Sequence, residues 1–226
     1  MNEVKVGIIG IGNMGSAHLR MITGGNIPDM TVTAVCDINP ERLKAAKAEY
    51  PDIAAFGDYT ELLKSSDTDA VIIAVPHPLH AKIAIEAFEY GKHVLVEKPM
   101  DITVSAAEKL CAAARKSGKV FAVMFNQRTN GLFREARRIV NSGELGELKR
   151  SVWIITNWYR TQSYYDSGSW RATWRGEGGG VLLNQAPHNL DIWQWICGMP
   201  SAVMVLSLVQ SQRAVYLDNH SYQIPR

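Results

Sequence analysis

Residues 4–22 read V-K-V-G-I-I-G-I-G-N-M-G-S-A-H-L-R-M-I, an apolar strand, a G-x-G-x-x-G turn and a helix in succession. A G-x-G-x-x-G sequence indicates dinucleotide binding when it follows a strand and opens a helix, as it does here. Gly10 permits the tight turn, Gly12 lets a pyrophosphate approach the backbone, and Gly15 lets the helix pack closely against the strand. The segment therefore predicts the first unit of a dinucleotide-binding domain.

The same turn supplies the phosphate contacts of the predicted cofactor site. Backbone N–H groups at the start of the helix, where Asn13 and Met14 lie, would face the phosphates. A second strand over 31–36 ends in Asp37, 22 residues beyond the last turn glycine, where a carboxylate should bind the adenosine ribose. Because Asp37 would repel a 2′-phosphate and residues 38–40 contain no arginine, we predict NAD rather than NADP. The alternative is an ordinary glycine-rich turn that binds nothing.

Size and composition exclude several classes of protein. The chain has 226 residues, 46% of them hydrophobic, which suits one large domain or two modest ones. Its net charge of +2 creates no global field for nucleic acid or an anionic membrane, and no apolar run reaches the roughly 18 residues of a membrane span. Without a signal-peptide pattern or a C-x-x-C among its three cysteines, the chain is expected to be cytoplasmic, reduced and free of zinc.

The first 125 residues alternate strands with helices. The predicted strands are 4–9, 31–36, 53–56, 70–75, 93–96 and 120–125, and the predicted helices are 16–22, 40–50, 59–64, 80–90 and 103–117. The strand over 70–75, A-V-I-I-A-V, is apolar throughout, as expected when helices cover both faces of a parallel sheet. We therefore predict a doubly wound α/β Rossmann domain over residues 1–125.

The composition changes in the second domain, which we place over 126–226. All six tryptophans follow residue 150. The predicted elements are a helix over 130–141, a strand over 148–158, a helix over 186–197, a strand over 202–209 and a weaker strand over 213–217. Residues 159–180 form a polar, aromatic and arginine-rich loop, and a loop of this length usually carries function.

Two strand ends of the predicted sheet carry polar residues, and ligands bind at this edge of such sheets. After the fourth strand, P-H-P-L-H offers Pro76 and His80 as cofactor contacts, unless His80 merely begins a helix. After the fifth strand, Glu97-Lys98-Pro99 places a cation where a substrate oxygen would gain negative charge. The alternative for this acid and base is a solvated ion pair. The bond to Pro99 can adopt the cis form at low cost.

The third candidate site is G-G-G-V-L-L-N-Q-A-P-H-N-L-D, residues 178–191. His188 and Asp191 are three residues apart on a predicted helix and therefore share a face. A histidine titrates near neutrality and suits proton exchange with an alcohol, although a lone histidine is often structural. The pair could also be half of a metal site, but the pattern offers no third ligand, so we predict no metal.

These motifs, in their order and spacing, resemble the Gfo/Idh/MocA family of nicotinamide-dependent oxidoreductases over residues 1 to about 200. The resemblance rests on G-I-G-N-M-G, Asp37, E-K-P and G-G-G…H-x-x-D. It implies an NAD-binding Rossmann domain followed by an α/β domain whose open, mainly antiparallel sheet often mediates oligomerisation. It also implies hydride transfer between nicotinamide and a hydroxyl carbon of a sugar or cyclitol.

The resemblance also implies roles for single residues. Lys98 would be the lysine of the E-K-P motif, holding the substrate oxygen, and His188 would be the catalytic histidine, accepting the hydroxyl proton. By position, the remaining implied contacts are Glu97, Gln127, Arg128, Trp170 and Arg171 to the cofactor, and Asn184 and Arg160 to the substrate.

The chain departs from the family pattern in two places. Many members carry Asp where this chain has Asn184, although an amide can still hydrogen-bond a sugar hydroxyl. The sequence also stops before the further strands of the family, so we expect a truncated second domain with an incomplete sheet. Residues 210–226 should then pack poorly and the isolated chain should self-associate through an open edge. The homo-oligomer of complete members is doubtful here.

Two other functions fit the same residues. Some relatives use a bound nicotinamide transiently to hydrolyse glycosides or to eliminate across a sugar, and a cofactor that does not exchange would indicate such a glycosidase or lyase. A truncated chain could instead bind dinucleotide without catalysis. NAD binding without turnover would indicate this binding module.

Overall fold

The computed structural model of the chain describes residues 3–64, 67–156, 159–168 and 170–204. The chain divides into two compact units, Met1–Met124 and Phe125–Arg226. The first unit is built on a single sheet of six strands, and the described part of the second is helical.

The six strands of the first unit are all parallel. They are β1 Val4–Ile9, β2 Met30–Cys36, β3 Ala54–Phe56, β4 Ala70–Ile73, β5 His93–Val96 and β6 Phe121–Val123. Their order across the sheet is β3-β2-β1-β4-β5-β6, so the chain reverses its direction of travel between β1 and β4. This is the doubly wound order that the sequence predicts, and ligands of such sheets bind at the reversal point.

Helices connect the strands of the first unit. They are α1 Asn13–Thr23, α2 Pro40–Glu49, α3 Tyr59–Lys64, α4 His80–Glu89, which a 3-10 turn over His77–Leu79 precedes, and α5 Val104–Ser117. Polar side chains start two of them: the Asn39 carboxamide accepts the N–H of Glu41 at the start of α2, and the Thr103 hydroxyl accepts that of Ala106 in α5. Gly118, at a φ of 65°, ends α5.

The core of the first unit lies on both faces of the sheet. Ile8 and Ile72 belong to one buried cluster, whereas their chain neighbours Ile9 and Ile73 belong to another. Successive side chains of a strand point to opposite faces, so each central strand feeds both clusters. This explains why the strands read as continuous apolar runs.

The described helices of the second unit are α6 Gly131–Asn141, α7 Gln162–Asp166, α8 Trp174–Glu177, α9 Val181–Asn184 and α10 Pro187–Cys197. Ile192 and Ile196 of α10 are buried. The Arg137 guanidinium of α6 lies 4.3 Å from the centre of the Trp195 ring of α10, which joins the two long helices.

The strand predicted over 148–158 is wrong for the residues that the structure describes, since 148–156 form no strand. Their β-branched and aromatic side chains suit a strand, but a strand also needs a neighbouring backbone to pair with. No described residue supplies that neighbour, and Val152 and Ile154 are 63% and 77% exposed. Residues 205–226 lie outside the described part, and with them most of the strand predicted over 202–209, that over 213–217 and the predicted loose tail.

The loop predicted over 159–180 contains two short helices, α7 and α8. Thr161 and Thr173 start them, each hydroxyl accepting a backbone N–H three residues on. The pattern missed them because a helix of four or five residues is too short to show a periodicity.

Within the described residues, no helix is both long enough and apolar enough to cross a membrane.

Candidate functional site

The glycine-rich turn has the geometry of a phosphate cradle. Gly10 has a φ of 88°, and a Cβ there would lie 2.7 Å from the Ala74 carbonyl oxygen. A Cβ on Gly15 would lie 1.8 Å from the Gly10 carbonyl oxygen, so α1 packs where only glycine fits. A Cβ on Gly12, by contrast, would meet only the Arg42 Nη1 atom, at 3.8 Å.

Gly12 therefore borders open space at the start of α1, whose first residues Asn13 and Met14 are exposed. The free N–H groups and positive end of the helix dipole make this space suitable for an anion. The residues present thus fit the pyrophosphate of a dinucleotide.

Asp37 is buried at the end of β2 and braces this turn. Its Oδ2 atom accepts the N–H of Ile11 at 2.9 Å, and its Oδ1 atom accepts the N–H of Asn39 at 2.8 Å. The carboxylate thus ties the glycine-rich turn to the end of β2, where the sequence places the ribose contact.

Arg42 is a residue of this site that the sequence analysis missed. Its Nη1 atom lies 3.3 Å from Asp37 Oδ2, and its side chain is 51% exposed. Residues 38–40 contain no arginine, but the first turn of α2 brings Arg42 back to the carboxylate at the end of β2. A basic residue in the first turn of the helix that follows β2 was the sequence feature that could have predicted this contact.

The Glu97-Lys98-Pro99 segment follows β5. The Glu97 carboxylate is buried, with Oε1 at 2.8 Å from His18 Nε2 of α1, and its Oε2 accepts the N–H of Lys98 at 3.3 Å. The reading of Glu97 as part of a solvated pair is therefore wrong, because burial and His18 hold it inside. Lys98 is half-buried, and the Lys98–Pro99 peptide is cis. His18 was not predicted; its signal was a polar residue on the packed side of α1.

His80 connects the two strand ends that the sequence analysis singled out. The ring is 1% exposed, with Nδ1 at 2.7 Å from the Pro99 carbonyl oxygen and Nε2 at 2.7 Å from that of Val75. Burial lowers the pKa of His80 although both carbonyls act to raise it. The ring nitrogens thus face two backbone carbonyls, and the cofactor contacts predicted for His80 and the half-buried Pro76 stay predictions.

In the second unit, Arg128 and Asp191 form a two-pronged ion pair. Arg128 Nε lies 2.8 Å from Asp191 Oδ2, and Nη2 lies 2.5 Å from Oδ1. This hydrogen bonding raises the pKa of the Arg128 guanidinium above its ordinary value. Asp191 therefore pairs with Arg128, and the His188 ring packs edge-on against Phe125 at 6.1 Å between centres.

Asn184 and Glu177 form a second polar pair in this unit. Both are buried, at 6% and 3% exposure, and Asn184 Nδ2 donates to Glu177 Oε1. Position 184 lacks the carboxylate of many family members, but Glu177, which was not predicted to belong to the site, supplies one beside it. The acidic residue directly before the three glycines was the available signal.

Two of the remaining predicted contacts, Arg160 and Arg171, lie around the ring of Tyr164. The Arg160 and Arg171 guanidinium groups lie 4.5 Å and 4.3 Å from its ring centre, and Arg171 Nη1 donates to its hydroxyl at 2.6 Å. Arg171 also lies 4.7 Å from the Trp170 ring. Gln127 is half-buried in the 3-10 turn Asn126–Thr129. No cluster of His, Cys, Asp or Glu among the described residues could hold a metal ion.

The sheet order and the glycine cradle define the first unit as a dinucleotide-binding Rossmann domain. Residues 4–125 match the family model of the GFO_IDH_MocA oxidoreductases, NAD-binding Rossmann fold, and residues 133–220 match the GFO/IDH/MocA C-terminal domain. The chain therefore belongs to the Gfo/Idh/MocA family of oxidoreductases and carries its NAD-binding domain.

Known relatives agree with this assignment. The oxidoreductase YrbE of Bacillus subtilis is 30% identical over 87% of this chain and 54% of its own length. The inositol 2-dehydrogenase of Salmonella typhimurium is 34% identical over 64% of this chain and 43% of its own length. The crystal structure of the WlbA dehydrogenase from Bordetella pertussis, in complex with NADH and UDP-GlcNAcA, superimposes with a TM-score of 0.77 at 28% identity, covering 87% of this chain and 59% of that one. The chain thus spans about half the length of the curated relatives it matches.

Proposed function

We propose that this chain belongs to an NAD-dependent dehydrogenase that transfers a hydride between nicotinamide and a hydroxyl carbon of a sugar or cyclitol. The observation that carries the proposal is the open space above Gly12, bordered by the start of α1 and braced by the Asp37 carboxylate. The inositol dehydrogenase and the complex with NADH and UDP-GlcNAcA among its relatives support the cofactor and the substrate class.

In the proposed reaction the bound nicotinamide supplies the redox chemistry, by accepting or giving up hydride. The chain's own task is to place the substrate carbon and to move the hydroxyl proton. We assign the substrate oxygen to the Lys98 ammonium group, because a positive charge stabilises the alkoxide that forms as the proton leaves. His80 and Glu97 fix the backbone on either side of Lys98, through the Pro99 carbonyl and the Lys98 N–H.

We assign the proton to His188, in the first turn of α10. An imidazole is suited to this exchange because its pKa lies near neutrality. Arg128 holds the carboxylate of Asp191, which lies on the same helix as His188. Asn184 and Arg160 are assigned to the hydroxyl groups of the substrate, and the open antiparallel sheet predicted for the second domain stays part of the proposal.

The proposal is tested by two measurements on the purified chain. Calorimetric titration should show NAD binding, and incubation with inositols and with UDP-linked sugars should produce NADH absorbance for one of these classes. NADH formation with either class would support the dehydrogenase. Binding without any turnover would select the non-catalytic dinucleotide-binding module, and a cofactor that does not exchange would select a glycosidase or lyase.

A further inference from the structure

Glu177 and Asn184 bring a carboxylate and a carboxamide together inside the second unit. Glu177 is the last residue of α8 and Asn184 the last of α9, and the turn between them starts at Gly178 with a φ of 78°. Both side chains are buried, and Asn184 Nδ2 donates to Glu177 Oε1. This contact is separate from the Arg128–Asp191 ion pair and from the arginines around Tyr164.

The chemistry of the two groups determines which way the amide points. An ionised carboxylate can only accept hydrogen bonds, whereas a carboxamide has one side that donates and one that accepts. Against Glu177, Asn184 must therefore present its NH₂ group, which turns Oδ1 to the opposite side.

We propose that Glu177 is a positioning residue that locks Asn184 as a hydrogen-bond acceptor for a substrate hydroxyl, and that the two residues together hold a single negative charge. The inference rests on the proposed function for its substrate. Asn184 ends α9, and the proposed base His188 follows four residues later in the first turn of α10. A neutral acceptor backed by a charge orients a hydroxyl without placing a second charge beside the base.

A charge-swap series separates this arrangement from ordinary packing. Asn184→Asp puts two buried carboxylates in contact, and two such groups cannot both ionise without a large penalty. Glu177→Gln removes the charge and lets the Asn184 amide turn over. The double variant Asn184→Asp/Glu177→Gln restores one carboxylate and one carboxamide in exchanged positions. Glu147→Gln, at an exposed glutamate, is the matched control.

Thermal unfolding reads out the pair without requiring activity. Asn184→Asp should lower the melting temperature by roughly 5 °C or more, which is a large shift for a chain of this size. The double variant should recover at least half of that loss, and Glu147→Gln should leave the melting temperature unchanged. If the two single substitutions lowered the melting temperature additively, so that the double variant was the least stable, the proposal that the pair holds a single negative charge would be wrong.

Steady-state kinetics read out the orientation of the amide. In a chain that turns over a sugar or cyclitol, Glu177→Gln should raise the substrate KM about tenfold, or about 1.4 kcal/mol, and leave the NAD affinity unchanged. A purely structural role would instead lower NAD binding and melting temperature together. An unchanged KM would overturn the role of the locked amide. If the double variant recovered its melting temperature but the chain bound no sugar or cyclitol, the proposed function would be refuted. The proposal of a single charge on Glu177 and Asn184 would still hold.

Discussion

Arg42 Nη1 lies 3.3 Å from Asp37 Oδ2, and the same carboxylate oxygen accepts the N–H of Ile11 in the glycine-rich turn. The carboxylate is buried, whereas the arginine side chain is half-exposed. Asp37 thus has two tasks, since it braces the turn and holds a cation at the place expected for the adenosine ribose. Without the Asp37 carboxylate, the Arg42 guanidinium would be able to pair with an anionic group of the bound cofactor.

The first prediction concerns the choice between NAD and NADP. The wild-type chain should bind NAD more tightly, because the Asp37 carboxylate opposes a 2′-phosphate. Asp37→Ala should narrow the difference by roughly tenfold or more, because the freed Arg42 can pair with the phosphate, and hydrogen bonds to charged groups contribute about 1.5–3 kcal/mol. Calorimetric titration of both cofactors measures the ratio.

Arg42 provides the control for this prediction. The double variant Asp37→Ala/Arg42→Ala should lose the gain in NADP affinity that Asp37→Ala produces. Both variants also lose the hydrogen bond from the Ile11 N–H to Asp37. Their melting temperatures measure this loss of stability independently of the cofactor affinities. Equal or tighter NADP binding by the wild type would contradict the assignment of Asp37.

The second prediction separates two glycines of the turn. Gly12→Ala should keep the melting temperature of the wild type, because its φ of −70° suits alanine and the new Cβ meets only Arg42 Nη1 at 3.8 Å. The methyl group should nevertheless obstruct the pyrophosphate and weaken NAD binding by at least tenfold. Gly15→Ala should lower the melting temperature, since its Cβ would lie 1.8 Å from the Gly10 carbonyl oxygen. If Gly12→Ala bound NAD normally, the cradle would have to lie elsewhere.

The sequence predicts the first unit well because its signals are local. Apolar runs bounded by glycine and polar residues locate all six strands, and the bounds of α3 and β5 agree to the residue. Strand ends at one edge of a parallel sheet then bring Asp37 and Glu97 to the same side of the domain. Periodicity and turn chemistry suffice for this much.

What the sequence does not predict depends on contacts between distant residues. Glu97 is bound by His18, 79 positions earlier, and no spacing rule connects them. The strand predicted over 148–158 needs a partner, and side-chain preference alone does not supply one. Glu177 was not predicted because the residue type at 184 does not show which side chain contacts it.

The third prediction tests the two proposed catalytic residues. Lys98→Met and His188→Ala should each slow hydride transfer by roughly 10²–10⁴-fold, as removal of a positioned acid–base group does, with NAD affinity nearly unchanged. Single-turnover measurement of NADH formation separates the chemical step from cofactor binding. Lys82→Met, at an exposed lysine of α4, is the matched control. Wild-type rates in either variant would show that the assignment of that residue is wrong.

The fourth prediction concerns the pH dependence of stability through His80. Burial lowers the pKa of this ring below its ordinary 6.5, so the folded protein binds fewer protons than the unfolded chain just below that pH. The free energy of unfolding should therefore be highest above about pH 6.5 and fall as the pH drops, by at most about 1.4 kcal/mol per pH unit for one proton.

Urea unfolding between about pH 8 and about pH 5 measures this dependence, because a histidine of ordinary pKa changes charge within that range. His80→Gln can still donate one N–H to a carbonyl but does not titrate, so its stability should depend less steeply on pH than that of the wild type. The other five histidines contribute to both proteins and cancel in the comparison. Wild-type stability that rises towards low pH, relative to the variant, would mean that His80 is charged in the folded state and donates to the Pro99 and Val75 carbonyls together.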